Sequence, residues 1–213
     1  MSFPYRHIAI EGNIGTGKTT LAKMLAADFQ AELLLEQFSD NPFLQSFYQQ
    51  PERYALPVEL FFMAERHQQL HQRSTQKAVN TPLLISDYCF EKTLLFAKNN
   101  LSEAEFDLFY RLFQALNTTS TQPDILIFLQ RPVQVLLQQI RQRGRVFEAN
   151  IDAHYLNALE SAYFNFLESI ADIPVLVLSL SDKAFWNCAS DYQKILYYMR
   201  QTYTVGIHHI SVF

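Results

Sequence analysis

Glycine is scarce in this sequence: the 213 residues include five, and three of those, Gly12, Gly15 and Gly17, fall within six consecutive positions. So tight a cluster in a glycine-poor chain demands a local reason. Cysteine is scarcer still. Cys89 and Cys188 form no CxxC pair, which excludes a disulfide framework or a zinc cluster and leaves both expected as packed thiols in a reducing compartment. Positive charge is also short, with 17 Lys and Arg against 21 Asp and Glu and a net charge of -4. Such a balance offers no general attraction to nucleic-acid phosphates or anionic lipid. No run approaches the ~18 apolar residues of a membrane span, and Met1 to Glu11 lacks a long apolar stretch and a small-residue cleavage site. A cytoplasmic protein with no nucleic-acid or membrane partner is expected. Asn117-Thr118-Thr119 matches a glycosylation acceptor that only secretion would make relevant. Apolar side chains are what the chain has in plenty: 49% hydrophobic against 18% charged residues excludes disorder. With no internal repeat and no linker, residues 1–213 are expected to form a single domain.

The glycine cluster sits between His7-Ile8-Ala9-Ile10, a short buried strand, and Thr19 to Ala27, which carries helical periodicity. Further apolar runs at Ala31 to Leu35, Pro82 to Ser86, Asp124 to Leu129 and Pro174 to Leu180 bring the expected strands to five. Amphipathic stretches lie between them, at Pro57 to Lys77, Phe90 to Lys98, Glu103 to Leu116, Val133 to Gln142, Tyr155 to Ile170 and Phe185 to Thr202. Strands alternating with helices predict an α/β fold, a parallel sheet covered on both faces. In such sheets ligands bind beyond the carboxyl ends of the strands. The glycine cluster, Glu36 and Asp87, each following a strand, should therefore face one crevice. The tail from Gly206 to Phe213 carries no readable pattern.

Gly12-Asn13-Ile14-Gly15-Thr16-Gly17-Lys18-Thr19 matches G-x-x-x-x-G-K-[ST], and each fixed position has a physical reason. The glycines let backbone N–H groups turn inward around phosphate oxygens, and the helix N-terminus adds the positive end of its dipole. Lys18 supplies charge to the β and γ phosphates, Thr19 reaches Mg²⁺, and Thr20 completes the nucleotide-binding segment. A phosphate loop serves kinases, GTPases and motors alike. The absence of a guanine-reading N-K-x-D and the modest length favour a small-molecule kinase.

At Glu11-Gly12-Asn13-Ile14-Gly15-Thr16-Gly17-Lys18-Thr19 the chain resembles the deoxynucleoside kinase family, whose pattern here is E-G-N-I-G-[ST]-G-K-[ST]. Glu36-Gln37-Phe38-Ser39-Asp40-Asn41-Pro42-Phe43-Leu44, with Phe47-Tyr48, is similar to the bacterial deoxyadenosine and deoxyguanosine kinase branch, and Arg143-Gly144-Arg145 with Glu148 resembles the family lid. The resemblance implies a three-layer P-loop fold with a five-stranded parallel sheet and a short lid at about 141–150. It implies ATP-dependent phosphorylation of a nucleoside 5'-hydroxyl with Mg²⁺, and a homodimer. By resemblance Glu36 is the general base, Asp87 a carboxylate on the Mg²⁺ side, Arg143 and Arg145 the lid cations, and Glu148 with Tyr48 the partners of the sugar 3'-hydroxyl. The family's [DE]-R-S reads Asp87-Tyr88-Cys89 here, so Arg66 or a lid arginine is expected to replace the missing charge. Gln139 likewise stands where a further lid arginine is usual.

Ala55-Leu56-Pro57-Val58-Glu59 is similar to the family segment that carries a base-reading glutamine, and by that resemblance Glu59 stands in its place. An ionised glutamate only accepts hydrogen bonds and so matches the adjacent N1–H and N2–H₂ of guanine, which favours a purine with deoxyguanosine ahead of deoxyadenosine. Arg66, on the same helix face, resembles a base-side or phosphate-side arginine. His67 and His71, spaced i, i+4 without an intervening glutamate, read as a helix face, and the Phe-rich runs as core or helix contacts. Two rival readings keep the phosphate loop but give it another use. One is a nucleoside monophosphate or other small-metabolite kinase, and the other a degenerate member that binds nucleotide without efficient turnover.

Overall fold

The computed structural model describes residues 3–37, 40–75, 83–117 and 122–213. Phe38 and Ser39 of the matched segment, Lys77, Pro82, and Thr118 and Thr119 lie outside those residues. At the centre is β1 (His7–Gly12), buried along its whole length. It pairs in parallel with β3 (Leu84–Ser86), Ile8 opposite Ile85, and with β4 (Ile125–Gln130), Ile10 opposite Ile127. Beyond β3 lies β2 (Glu32–Leu34), and beyond β4 lies β5 (Pro174–Ser179).

A sixth strand, β6 (Gly206–Ser211), closes the edge parallel to β5, giving the order β2-β3-β1-β4-β5-β6. Five strands were expected. The unread tail supplies the extra one because β6 is a half-exposed edge strand, where His208 and His209 interrupt the apolar alternation that marks a buried strand.

Side chains alternate between the sheet's two faces. On one face, Ile8, Ile10, Ile127 and Leu178 pack against Leu21 and Leu25 of α1 (Lys18–Phe29) and, from the chain's last helix (Ala189–Met199), Ile195 and Met199. On the other, Ala9, Leu126, Phe128 and Val177 meet a helix over Ala153–Ser169 through Leu159, Tyr163 and Leu167. The result is three layers.

The remaining helices, in chain order, are α2 (Leu44–Gln49), α3 (Pro51–Thr75), α4 (Lys92–Asn100), α5 (Glu103–Leu116) and α6 (Val133–Arg143), so the two helices above are α7 and α8. α2 escaped the sequence because it spans six residues, too few for a helical period to show. α3 starts at Pro51 and runs through Pro57, whereas the pattern placed Pro57 at its start. A first-turn N–H has no intrahelical partner to lose, and it is Pro51 that takes that position. α5 carries a Ser102/Glu105 capping box, with Ser102 Oγ donating to Glu105 at 2.7 Å. Phe109 and Phe113 of α5 join Met63, Leu70 and Phe90 in a helical core outside the sheet. Cys89 is buried as expected, but Cys188 is exposed at the start of α8.

Gly12 shows why the end of β1 needs glycine. Its φ is +147°, and a Cβ there would lie 2.5 Å from the Leu129 carbonyl oxygen of the neighbouring strand. Gly144 has φ +67°, but a Cβ would meet nothing within 4 Å. Gly12→Ala is therefore expected to lower the unfolding free energy in chemical denaturation by about 2–4 kcal/mol, and Gly144→Ala by about 1 kcal/mol. Equal losses at the two sites would contradict the close approach at Gly12.

Candidate active site

The carboxyl ends of β1, β2 and β3 open into a cleft. Its floor is the turn from β1 to α1, where Gly15 (φ +86°) and Gly17 (φ +99°) hold left-handed conformations that expose backbone N–H groups. Ile14, Gly15, Lys18 and Thr19 line the cleft, whereas Gly12, Asn13, Thr16, Gly17 and Thr20 stand behind or beside them. Asn13 is buried and fixes the loop, donating to the Leu156 carbonyl at 2.8 Å and accepting from the Ile14 N–H at 2.8 Å. Lys18 Nζ donates to the carbonyls of Gly12 (2.8 Å) and Asn13 (3.0 Å). Burial, reinforced by the charge of Lys92, lowers the Lys18 pKa to about 8.

Asp87 joins the three strand ends. Its Oδ1 accepts from the Glu36 backbone N–H at 2.8 Å and its Oδ2 from the Thr19 hydroxyl at 2.5 Å. It does not cap the next helix, since α4 begins at Lys92. Burial and the nearby Glu36 charge raise its pKa despite the Thr19 hydrogen bond. A hydroxyl and a carboxylate side by side, with no group of three His, Cys, Asp or Glu side chains among the described residues, suit a hard cation that takes most of its ligands from phosphate and water.

Glu36 follows β2 and is gripped from two helices. Arg66 of α3 donates to its Oε1 through Nε at 2.9 Å and through a second nitrogen, and Lys92 of α4 donates to its Oε2 at 3.2 Å. Burial alone would raise the Glu36 pKa, but the charges of Lys92 and Arg66 outweigh it and hold the carboxyl at about 2. Arg66 also donates to Thr93 Oγ1 at 2.9 Å. The arginine expected near the base or the phosphates thus sits on Glu36. Tyr88, in place of the motif's arginine, packs with Met63, Phe90 and Phe109 and donates its hydroxyl to Gln69 at 2.7 Å.

At the far end Glu59 is 1% exposed. Its Oε1 accepts from Asn100 Nδ2 at 2.7 Å, while its Oε2 is buried with no hydrogen-bond partner among the described residues. Burial pushes its pKa up to about 7 against the lowering by the Asn100 hydrogen bond and the Arg66 charge. Phe62, Phe96 and Tyr155 complete the walls, and the Tyr155 hydroxyl donates to Asn100 at 3.4 Å. Above them Glu148 is ion-paired to Arg143 and, at 3.2 Å, to Arg145. The Tyr48 ring lies parallel to Phe147 with centroids 6.4 Å apart. Gln139 does not line the cleft. His67 and His71 stack on each other along α3, 5.8 Å apart, away from these walls.

Sequence reasoning missed Lys92, Asn100, Phe62, Phe96 and Tyr155. Lys92 carried a signal, being a lysine on an otherwise uncharged face of α4 with Thr93, Leu95 and Ala97. Arg131 was missed too. It is 2% exposed and donates to the carbonyls of Thr16 (3.1 Å), Ser181 (2.5 Å) and Lys183 (2.8 Å), binding the phosphate loop to the segment after β5.

The family model described as deoxynucleoside kinase matches residues 8–203. A deoxyguanosine kinase of Bacillus subtilis is 32% identical over 91% of this chain and 96% of its own. A deoxyadenosine kinase of Dictyostelium discoideum is 33% identical over 83% of this chain and 73% of its own. Among solved structures, deoxyadenosine kinase from M. mycoides with dATP bound superposes with a TM-score of 0.76 at 20% identity, covering 91% of this chain and 99% of that one. At that identity the likeness shows the fold.

The buried Glu59 makes a testable contribution to stability. Its pKa is raised on folding, so its stabilising effect is complete below the ordinary carboxylate pKa near 4.5 and is lost as pH rises to about 7. Glu59→Gln removes that loss and is expected to raise the unfolding free energy by about 2 kcal/mol at pH 8 and by little at pH 5. An equal effect at both pH values would show that Glu59 is not a buried ionisable group.

Proposed function

The chain belongs to the deoxynucleoside kinase family, and on that premise we propose that it transfers the γ-phosphoryl group of ATP to the 5'-hydroxyl of a purine deoxynucleoside. The observation that carries this reading is the Glu36 carboxylate at the end of β2, held by Arg66 and Lys92 in the same cleft as Lys18 and Thr19. Phosphoryl transfer passes through a loose transition state, so the protein contributes chiefly positioning and charge stabilisation. The turn Gly12 to Thr19 cradles the phosphates, with Thr20 extending it, and Lys18 neutralises the β and γ oxygens. Mg²⁺, held through Thr19 and Asp87, supplies further charge neutralisation when bound. Glu36 stays ionised at any working pH, orients the 5'-hydroxyl and accepts its proton as the new O–P bond forms and the bond from the γ phosphorus to the departing ADP breaks. Arg143 and Arg145, flanking the Gly144 hinge, form a lid over about 141–150 that closes on the transferring group. Glu148 and Tyr48 take the sugar 3'-hydroxyl.

Glu59 reads the base. Ionised, it accepts from guanine N1–H and N2–H₂; protonated, it offers one donor and one acceptor, the pattern that complements adenine. The relatives named deoxyguanosine kinase and deoxyadenosine kinase support a purine. The charged groups that set the balance are Arg66, Glu36 and Lys92. We take residues 1–213 as one kinase domain acting in the cytoplasm. None of the helices among the described residues is long and apolar enough to cross a membrane. A homodimer is supported by α5, which exposes Leu108, Tyr110 and Leu112.

The test is product formation with Mg²⁺-ATP against deoxynucleosides, ribonucleosides and nucleoside monophosphates. One purine deoxynucleoside is expected to give the monophosphate, and Glu36→Gln to lower turnover by about 10²- to 10⁴-fold while ATP still binds. Phosphorylation of a monophosphate instead would assign a different acceptor; bound ATP with no product would assign the degenerate role. Across the pKa of Glu59, the ratio of deoxyguanosine to deoxyadenosine turnover is expected to rise from pH 6 to pH 8, and Glu59→Gln to flatten it. A ratio independent of pH in the unaltered protein would remove Glu59 from base recognition.

A further inference from the structure

Lys92 is 3% exposed and lies between two carboxylates, with its ammonium 3.2 Å from Glu36 Oε2 and 3.8 Å from Glu11 Oε2. Neither the phosphate-loop motif nor the lid accounts for it. Tyr88, next to Asp87, brings no charge to the cleft, since it enters the apolar core and donates its hydroxyl to Gln69.

We propose that Lys92 is a positioning residue that fixes the Glu36 carboxylate for the 5'-hydroxyl. The inference rests on the role of Glu36 proposed above. Both Arg66 contacts fall on Oε1, so Arg66 alone leaves the carboxylate able to pivot about that oxygen. Lys92 takes Oε2 and fixes the plane. Glu11 holds the ammonium from behind, being fully buried and itself anchored by the Cys89 N–H at 2.9 Å and the Tyr163 hydroxyl at 3.1 Å. A line of contacts thus runs from α7 through Glu11 and Lys92 to Glu36. A lysine placed only to neutralise Glu11 would sit nearer to it than to Glu36, which is the reverse of what is seen.

The experiment compares Lys92→Met, Lys92→Arg, Glu36→Gln and the double variant Glu36→Gln/Lys92→Met in turnover of Mg²⁺-ATP with a purine deoxynucleoside. Lys92→Met is expected to lower kcat by about 10²-fold with the KM for ATP within about 3-fold of the unaltered value. Lys92→Arg should recover to within about 10-fold. In the Glu36→Gln background, loss of Lys92 should add less than about 3-fold, because a residue that acts through Glu36 has nothing left to position. If Lys92→Met does not fold, Lys92→Gln, which keeps a donor without the charge, takes its place under the same expectations. An unimpaired Lys92 variant in an active enzyme overturns the proposal alone, as do multiplicative losses in the double variant or a Lys92→Arg no better than Lys92→Met. An unaltered enzyme that phosphorylates no nucleoside overturns the role of Glu36, and this inference falls with it.

Discussion

Three residues far apart in the chain, Glu36 after β2, Arg66 in α3 and Lys92 in α4, meet on one largely buried carboxylate. Removing a single member of such a set strands a charge away from water, at a cost of about 3–5 kcal/mol. That constraint ties the helical layer of α3 and α4 to the open end of the sheet. It also sets the spacing of the cleft, because the same helices carry Glu59 and Asn100 at the opposite wall. Asp87 extends the tie to β3 and α1 through Glu36 N–H and the Thr19 hydroxyl, so the phosphate loop and the carboxylate cannot drift independently.

The cleft divides by chemistry. At the sheet end, fixed positive charge from Lys18, Lys92 and Arg66 faces Glu36 and Asp87, an arrangement suited to a transferring phosphoryl group. At the far end, Glu59, whose Oε2 has no hydrogen-bond partner among the described residues, shares the wall with Phe62, Phe96, Asn100 and Tyr155. Arg143 and Arg145 engage Glu148 on either side of Gly144, which has a positive φ and where an added Cβ would meet nothing within 4 Å. Arg131 holds the back of the phosphate loop to the segment after β5.

Much of this was readable in advance because the informative features are local. The glycine spacing, the strand before it and the helix after it identify the phosphate loop without reference to the rest of the chain. Strand ends at Glu36 and Asp87 follow from short apolar runs, and parallel topology brings them together. What was not legible depends on contacts across the chain. Glu36's second cation comes from Lys92, 56 positions away; a lysine on the otherwise uncharged face of α4 is visible in the sequence, but nothing there pairs it with Glu36. The burial that raises the pKa of Glu59 arises only when the helices close over it beside Asn100. β6 was hidden for the opposite reason: an edge strand needs no continuous apolar face, and its pairing with β5 is a backbone matter.

The central claim is that the Glu36 clasp presents a nucleoside 5'-hydroxyl to the phosphate loop. The most direct measurement is ³¹P NMR of reactions containing Mg²⁺-ATP with deoxyguanosine or with its analogue lacking the 5'-hydroxyl. A new phosphomonoester coupled to the 5'-methylene protons is expected in the first case, and no phosphorylated nucleoside in the second. A phosphoester at another position, or an equal yield from the analogue, would contradict that claim.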